Sequence, residues 1–405
     1  MKLPPGFDRD IRLLTASMFT RRIVMGFLGV VRTLYFAYLG YTAVEIGLLL
    51  SVATGVSAIQ NVTFGYLCDR YGRKPFLVLG SIFAALRMVI FAVSTDFWML
   101  ALGQGFGALG EGVGAGQPVV SGYITDKVEL GDRPRVYSGI AVTNSLAATI
   151  GSALAGLPVY LQASHGLELV QAHQALWWAC AAISALSLLM VLPMGESSRR
   201  VEASAEPRAP RRLNWGAITR FSLIRGTNGL AWGLADSLTP LYLFYRFGVG
   251  SDALGPVYAF ARLLSVFSYL ALPRIVDRFG DIHTLIVSRV ASAGLTLAFA
   301  AAGSYPVAVG LLVANRLVTL FSMPIRQTFA SGFVDPEETA TAIGVSSFAR
   351  MGAQTAAPTL AGYMFEALSL STPFMVGASL MMVNGALYWV FFRPEEKQSA
   401  LAEAG

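Results

Sequence analysis

The chain has 405 residues, of which 55% are hydrophobic and 13% are charged, and its formal net charge is +6 at pH 7. A soluble domain has about 25% charged residues, so this composition excludes an ordinary soluble protein and indicates a membrane protein. The two cysteines, Cys68 and Cys180, lie in apolar segments and predict no disulfide framework.

Twelve apolar segments follow one another along the chain, each long enough to cross about 30 Å of hydrocarbon. Each is expected to be a helix, because an open sheet would leave backbone groups unpaired in lipid. The N-terminus shows no signal-peptide cleavage pattern, so the first helix is expected to be the insertion signal. The predicted spans are 12–38, 44–67, 75–94, 97–124, 136–161, 171–194, 217–244, 253–275, 283–303, 306–333, 340–366 and 372–392.

The loops between the spans alternate in charge. Those on one side contain most of the basic residues, namely Arg70, Arg73, Lys74, Lys127, Arg133, Arg135, Arg199, Arg200, Arg208, Arg211 and Arg212. The opposite loops contain one basic residue, Arg246, and the acidic residues Glu45, Asp96, Glu168, Asp252 and Glu366. The positive-inside rule therefore predicts a multi-pass inner-membrane protein with both termini in the cytoplasm.

Residues 195–214 separate the chain into two halves. This segment is rich in Arg, Glu, Ser and Pro, which predicts a cytoplasmic linker between an N-terminal six-helix bundle, 1–194, and a C-terminal one, 215–405. Four landmarks recur 208 residues later: Gly40, Gly47, Asp69 and Gly72 match Gly248, Gly255, Asp277 and Gly280. Such a parallel repeat implies a pseudo-two-fold axis along the membrane normal, with the substrate path between the halves.

The loop between the second and third spans reads Gly65-Tyr-Leu-Cys-Asp69-Arg70-Tyr-Gly72-Arg73-Lys74. It resembles the loop signature of the major facilitator superfamily, G-x-x-x-D-[RK]-x-G-[RK]-[RK], at every fixed position. A weaker copy with Asp277, Arg278 and Gly280 occupies the corresponding place in the second half. The resemblance implies an all-α membrane protein whose twelve transmembrane helices form two pseudo-symmetric six-helix bundles. It also implies a secondary transporter without cofactor or metal.

The same loop is expected to act as a conformational latch. Asp69 is suited to accept hydrogen bonds from the free N–H groups at the start of the eleventh helix, and Arg73 to pair with Asp126. These contacts would hold the halves together on the cytoplasmic face when the cavity opens outward. The alternative is that the basic residues only set the topology. The predicted latch consists of Gly65, Asp69, Arg70, Gly72, Arg73, Asp126, Asp277 and Arg278.

The fourth span departs from the family pattern. Residues 101–107 resemble the family's R-x-x-Q-G-x-G, but Ala101 stands where the pattern has arginine. The proton-transfer role that the pattern would imply for that arginine therefore does not transfer to this chain. The run 103–116 contains G-x-G-x-x-G, but a dinucleotide site needs a preceding strand, and this run lies inside a membrane span.

Ionisable residues at membrane depth cost about 2.5–3.5 kcal/mol each in a lipid-exposed helix and are usually functional. Two carboxyl groups, Glu111 and Asp236, lie near the predicted midplane. The arginines of the spans outnumber them, so pairing does not account for all of the charges. These arginines are Arg22, Arg32, Arg87, Arg262, Arg316, Arg326 and Arg350.

Some of these arginines are candidates for substrate binding, because the family resemblance implies a central cavity lined by the helices that carry them. A guanidinium group binds carboxylate or phosphate through two parallel hydrogen bonds, which favours an anionic substrate. The alternative is that the arginines pair with the membrane carboxyls and only hold the halves. The candidate substrate-binding residues are Arg32, Arg262, Arg316, Arg350, Trp232 and Asn228.

Glu111 and Asp236 are the candidates for proton coupling. Burial and a nearby arginine have opposite effects on the proton affinity of a carboxyl group, so either residue is suited to cycle a proton. The alternative is a permanent ion pair.

These features predict a secondary active transporter that moves a small organic anion by alternating access, coupled to protons or to a counter-transported solute. One alternative is proton-coupled export of lipophilic drugs or metabolites. Another is a transport-inactive sensor or lipid-handling protein on the same fold. We expect a monomer in the lipid bilayer with a small-molecule substrate, and neither enzyme activity, a metal site nor a nucleic-acid partner.

Overall fold

The computed structural model describes residues 7–111, 118–196, 215–264, 281–332 and 339–403, which are almost entirely helical and contain no strand. A 3₁₀ turn, Leu154–Gly156, joins two of the helices. The helices are α1 (Arg9–Tyr38), α2 (Ala43–Tyr71), α3 (Lys74–Val93), α4 (Phe97–Glu111), α5 (Pro118–Lys127), α6 (Arg133–Ala153), α7 (Leu157–His165), α8 (Leu169–Val191), α9 (Trp215–Asp236), α10 (Thr239–Phe247), α11 (251–264), α12 (Asp281–Ala301), α13 (Tyr305–Gly332), α14 (Thr339–Ala367) and α15 (Thr372–Glu403).

Each of the twelve predicted spans overlaps at least one described helix. Within the described residues, seven helical segments are long and apolar enough to cross a membrane, and Tyr305–Thr319 is a shorter apolar helix. The seven are Arg9–Tyr38, Ala43–Gln60, Lys74–Val93, Arg133–His165, Leu169–Val191, His283–Ala301 and Thr372–Phe391.

Two predicted spans are divided in the structure. Residues 136–161 form α6 and α7 on either side of the 3₁₀ turn, and residues 217–244 form α9 and α10 with a break at 237–238. In both cases a proline, Pro158 or Pro240, lies in the first turn of the second helix. Proline has no N–H to continue a helix but is tolerated in its first turn, so each proline begins a new helix.

The first of two compact units consists of Met1–Tyr41, Val52–Ala209 and Val249–Leu263. In this unit α1 packs against α6 and α8, and α3 packs against α4 and α8. The second unit consists of Thr42–Ser51, Pro210–Gly248 and Leu264–Gly405. There α9 packs against α14 and α15, and α12 packs against α13 and α15. The order of contacts is the same in both units, in agreement with an internal repeat.

The aromatic cores of the two units repeat the same contact. In the first unit the Tyr35 hydroxyl donates to the carbonyl oxygen of Phe91 at 3.2 Å, and the ring of Trp177 packs edge-on against both residues. In the second unit the Tyr242 hydroxyl is 3.5 Å from the carbonyl oxygen of Phe299. Each tyrosine therefore satisfies a backbone carbonyl group near the end of α3 or α12 and connects that helix to the helix that carries the tyrosine, α1 or α10.

Two short segments pack against helices from the other half of the sequence. In the second unit, Gly47 of α2 lies so close to the backbone of Pro358 that a Cβ atom would overlap it. In the first unit, a Cβ atom on Gly255 of α11 would lie 2.8 Å from the carbonyl oxygen of Ser152. Small residues allow such close approach of helix backbones in membranes.

The compact units therefore differ from the predicted halves in two segments. Thr42–Ser51, from the N-terminal half, belongs to the second unit, and Val249–Leu263, from the C-terminal half, belongs to the first. The predicted limits of those halves and of the linker, 1–194, 195–214 and 215–405, stay predictions.

Candidate functional site

The loop between α2 and α3 forms a tight turn in the first unit. Gly72 has a φ of +91°, a left-handed conformation that glycine adopts without a steric penalty. The Glu196 carboxylate accepts hydrogen bonds from the backbone N–H groups of Arg73 and Lys74, at 3.0 and 3.1 Å. It satisfies free N–H groups at the start of α3, where the helix dipole favours a negative charge.

The Arg73 side chain extends from this turn to α5. Its Nε atom lies 2.7 Å from Oδ2 of Asp126, and both side chains are largely buried. The guanidinium also lies against Gly122, one turn before Asp126, where a Cβ atom would overlap it. The structure therefore forms the Arg73–Asp126 contact of the predicted latch. The role of this contact in holding the two halves stays a prediction.

The other residues of the predicted latch are described only in part. Arg70 is exposed and its guanidinium lies 5.6 Å from the ring centroid of Tyr71. The surroundings of Gly65 and the side chain of Asp69 lie outside the described part of the chain, as do Asp277 and Arg278. The predicted hydrogen bonds to Asp69 therefore stay a prediction.

A second polar network holds the start of α1. Oδ2 of Asp10 lies 3.0 Å from Nζ of Lys127, 3.3 Å from the Tyr123 hydroxyl and 3.2 Å from the backbone nitrogen of Gly195. One carboxylate thus joins α1 to α5 and to the residues that follow α8. Sequence reasoning missed Asp10 because it lies in a polar terminal segment, and its partners are more than 100 residues away.

Arg32 and Arg262 lie along the same stretch of α1 in the first unit. Nη1 of Arg32 donates to Oε1 of Gln104 on α4 at 3.2 Å, and Gln104 is fully buried. Nη2 of Arg262, from α11, lies 3.2 Å from the position of a Cβ atom on Gly29. Gly29 and Arg32 are three residues apart and share a helix face. The structure therefore brings together two of the four predicted substrate-binding arginines.

Two further charges of the predicted spans are Arg87 of α3 and Glu111 of α4. Arg87 is 1% exposed, lies flat against Gly107 of α4, and has its Nη2 atom 3.4 Å from Sδ of Met25. These contacts are those of a packing residue. Glu111 is the last residue of α4, and its side chain lies outside the described part, so its coupling role stays a prediction.

Asp236 pairs with Arg316 in the second unit. Because the break before α10 makes Asp236 the last residue of α9, its carboxylate lies at the end of the helix that disfavours negative charge. Arg316, from α13, offsets this cost. The Asp236 and Arg316 side chains are 22% and 26% exposed, so protein does not fully enclose the pair.

A cavity of about 30 Å³ adjoins this ion pair and has room for a water molecule. Trp232 and Asn315 are among its lining residues. Asn315 is held in place because Oδ1 accepts from the Ser292 hydroxyl at 2.6 Å, while Nδ2 donates to the Thr296 hydroxyl at 3.2 Å. The cavity is thus both polar and aromatic.

Arg350 lies on α14 and extends along α9. Its Nη1 atom donates to Oε1 of Gln354 at 3.1 Å, and its Cγ atom lies 3.1 Å from the position of a Cβ atom on Gly229. Asn228 precedes Gly229 and is one turn from Trp232 on the same helix face. Of these predicted site residues, Trp232 lines the cavity beside the ion pair and Arg350 packs against α9.

Two arginines at membrane depth were absent from the sequence-based set. Arg225 is ten residues into α9, and Arg289 is eight residues into α12 and only 3% exposed. Both lie inside predicted spans, so a count of every arginine in 217–244 and 283–303 would include them.

The fold and these intramembrane charges define a helical membrane protein of the transporter class. The family model of the Major Facilitator Superfamily matches residues 14–351 and 227–405. The chain therefore belongs to the major facilitator superfamily. This confirms the family resemblance and the twelve-helix fold class predicted from the sequence.

Known relatives extend over most of the chain. An uncharacterized membrane protein of Saccharomyces cerevisiae is 20% identical over 412 residues, which cover 93% of this chain and 92% of the relative. The class H tetracycline resistance protein of Pasteurella multocida is 24% identical over 258 residues, 61% of each chain.

Among solved structures, the human organic anion transporter MFSD10 superposes with a TM-score of 0.64 at 15% identity. The match covers 95% of this chain and 100% of that one, and at this identity it shows the fold alone. The chain is thus a multi-pass membrane transporter of this superfamily.

Proposed function

We propose that this transporter moves a small organic anion by alternating access. The observation that supports the anion is the environment of Arg350. Among the described residues its hydrogen-bond partner is the neutral amide of Gln354, and no carboxylate pairs with it. A guanidinium at membrane depth with only neutral partners favours an anion, which it is suited to bind through two hydrogen bonds.

We assign proton coupling to Asp236. While it is ionised, Asp236 holds Arg316; a proton on Asp236 removes this attraction and frees Arg316 to bind the anion. The adjoining cavity supports this assignment, because it has room for the water that would deliver the proton. Glu111 is the second candidate, and exchange with a counter-transported solute is the alternative mode of coupling.

The transporter is proposed to act as a monomer in the inner membrane, with both termini in the cytoplasm. The asymmetric distribution of basic residues between the loops supports this orientation. In the same proposal the Arg73–Asp126 pair is part of a cytoplasmic latch between the halves.

Export of lipophilic drugs is the second candidate function. It is favoured by the rings of Trp232, Phe299 and Phe374, which line the cavity beside Asp236. The similarity to a tetracycline resistance protein points in the same direction.

Uptake into proteoliposomes under an imposed pH gradient tests the proposal. We expect gradient-dependent uptake of labelled acetate, succinate or inorganic phosphate, with at least a tenfold loss in Arg350→Gln. The control Arg220→Gln removes an exposed arginine that lies over the ring of Phe391, and it should transport like the unmodified protein. Asp236→Asn should transport the anion without a response to the gradient. Transport of tetraphenylphosphonium and of none of the anions would replace the proposal with drug export.

A further inference from the structure

Three arginines of the second unit lie inside predicted membrane spans: Arg225 of α9, Arg289 of α12 and Arg350 of α14. We call them the arginine cluster. The side chain of Arg350 lies against Gly229, which is one turn beyond Arg225 on the same face of α9. The guanidinium groups of Arg225 and Arg350 are close enough to repel each other.

On α15, Gly385 packs against Arg289, whose Cβ atom lies 3.5 Å from the position of a Cβ atom on that glycine, and one turn further along the helix is Tyr388. It is within electrostatic reach of both Arg225 and Arg289. One turn earlier on the same face, the Asn384 amide donates to the carbonyl oxygen of Ile224 at 2.7 Å. This hydrogen bond fixes α15 against α9 next to Arg225, so the arrangement belongs to the packed interior of the unit.

Arg225 and Arg350 are half-buried, and Nη1 of Arg350 donates to Gln354. Arg289 is fully buried and lacks hydrogen-bond acceptors for part of its guanidinium group. Arg289 is 3% exposed, and its Nε and Nη2 atoms have no hydrogen-bond partner within the described part of the chain. Buried donors in native proteins nearly always have a partner, so unpaired ones indicate a bound ion, ligand or water.

Protein carboxylates do not compensate the cluster within the described residues. Three carboxylates of the second unit have described side chains, and each is engaged elsewhere. Glu45 and Glu366 accept hydrogen bonds from backbone N–H groups at the start of α2, and Asp236 pairs with Arg316. Buried positive charges without a counter-charge are unfavourable, and a bound anion supplies one.

We infer that Arg225 and Arg350 together bind the acid group of the transported anion, a carboxylate, phosphate or sulfate. Two neighbouring guanidinium groups match the oxygens of such a group. Arg289 of α12 acts as a positioning residue that increases the positive potential of the site. This inference rests on the proposed function, because it takes the bound anion to be the transported one.

Thermal unfolding of the purified, delipidated full chain in detergent tests the site. The probes are acetate, succinate, sulfate and inorganic phosphate, titrated in a zwitterionic buffer of low ionic strength. A ligand that binds the folded state raises Tm by mass action. We expect saturable stabilisation by at least one probe, with the half-saturation concentration at least tenfold higher in Arg225→Gln. Arg225→Lys keeps the positive charge but not the planar guanidinium group, so its half-saturation concentration should lie between those of the unmodified protein and Arg225→Gln. Arg220→Gln should match the unmodified protein.

A second readout separates binding from packing. Without added anion, Arg225→Gln should have the same or a higher Tm than the unmodified protein, because the repulsion from Arg350 is removed. A lower anion-free Tm, or equal half-saturation concentrations in Arg225→Gln and Arg220→Gln, would overturn the inference.

Lipid phosphate is the other source of the same chemistry. Titration with phosphatidylglycerol and with phosphatidylcholine in place of the soluble probes separates the two. Stabilisation by phosphatidylglycerol alone that Arg225→Gln abolishes would make the cluster a lipid site and overturn the substrate assignment. Anion uptake that requires Arg350 but not Arg225 would defeat this inference and leave the proposed function intact. Absence of both anion binding and anion uptake would defeat both.

Discussion

Arg73 and Asp126 are 53 residues apart in the sequence but lie in contact beside Gly122. The ion pair between Arg316 and Asp236 likewise joins two separate helices. In each case a charge near or within the apolar part of the protein pairs with an opposite charge from another part of the chain. The contribution of such a residue therefore depends on whether its partner is present.

Removal of the Asp126 charge should destabilise the protein. Asp126→Asn removes the carboxylate charge that pairs with the largely buried Arg73, at an expected cost of about 1–3 kcal/mol in the free energy of unfolding. Asp132→Asn is the matched control, because its pair with Arg135 is more exposed and is expected to contribute about 0.5 kcal/mol or less. Thermal unfolding in detergent measures both. Equal decreases in Tm would show that the Arg73–Asp126 pair contributes no more to stability than the exposed Arg135–Asp132 pair.

Asp236 and Arg316 should behave as a coupled pair. Asp236→Asn and Arg316→Gln each break this ion pair, so the double variant should be more stable than the sum of the single effects predicts. The expected coupling energy is about 0.5–3 kcal/mol. Asp236→Asn combined with Arg246→Gln is the control cycle, because Arg246 donates to the carbonyl of Ala302. Additivity in both cycles would contradict the ion pair.

At the scale of the helices, packing depends on glycines where backbones touch. Gly151 of α6 lies so close to the carbonyl oxygen of Ile23 on α1 that a Cβ atom would overlap it. Gly362 of α14 makes the same kind of contact with the backbone of Ala43 on α2. Such contacts replace the hydrophobic driving force that helices lack in lipid.

Gly151→Ala should therefore weaken the contact between α1 and α6. Because the overlapping atoms belong to backbone, the helices must move apart, at an expected cost of about 1–3 kcal/mol. Gly294→Ala in α12 is the control, since a Cβ atom there meets nothing within 4 Å. The comparison is made by thermal unfolding of both variants. A Gly151→Ala variant as stable as Gly294→Ala would contradict the close packing.

Hydropathy predicts the positions of the helices but not their interruptions. Spans such as 12–38 and 75–94 coincide with α1 and α3 within a few residues, because about 20 apolar residues are needed to cross the bilayer. The break at 237–238 is not visible in the hydropathy averaged over a window of that length. It depends on Pro240 and on the partner that Asp236 finds in α13, and neither effect is a property of mean hydropathy.

At the scale of the whole molecule, the repeat and the loop signature were sufficient to predict the family and the twelve-helix fold. The candidate site was predictable only in part. Arg316 and Asp236 were recognised as intramembrane charges, but their pairing requires the packing of α9 and α13. The cluster of Arg225, Arg289 and Arg350 depends on three helices that are distant in sequence, so residue spacing alone does not reveal it.

We propose above all that this transporter carries a small anion that binds to arginines of its membrane helices. Current recordings from proteoliposomes on a solid-supported membrane test it most directly, because movement of a charged solute is measured without a label. We expect a saturable transient current on rapid addition of succinate or sulfate, which carry net charge even when one proton accompanies them, and this current should be lost in Arg350→Gln and retained in Arg220→Gln. A current evoked only by tetraphenylphosphonium, or anion currents equal in the two variants, would contradict it.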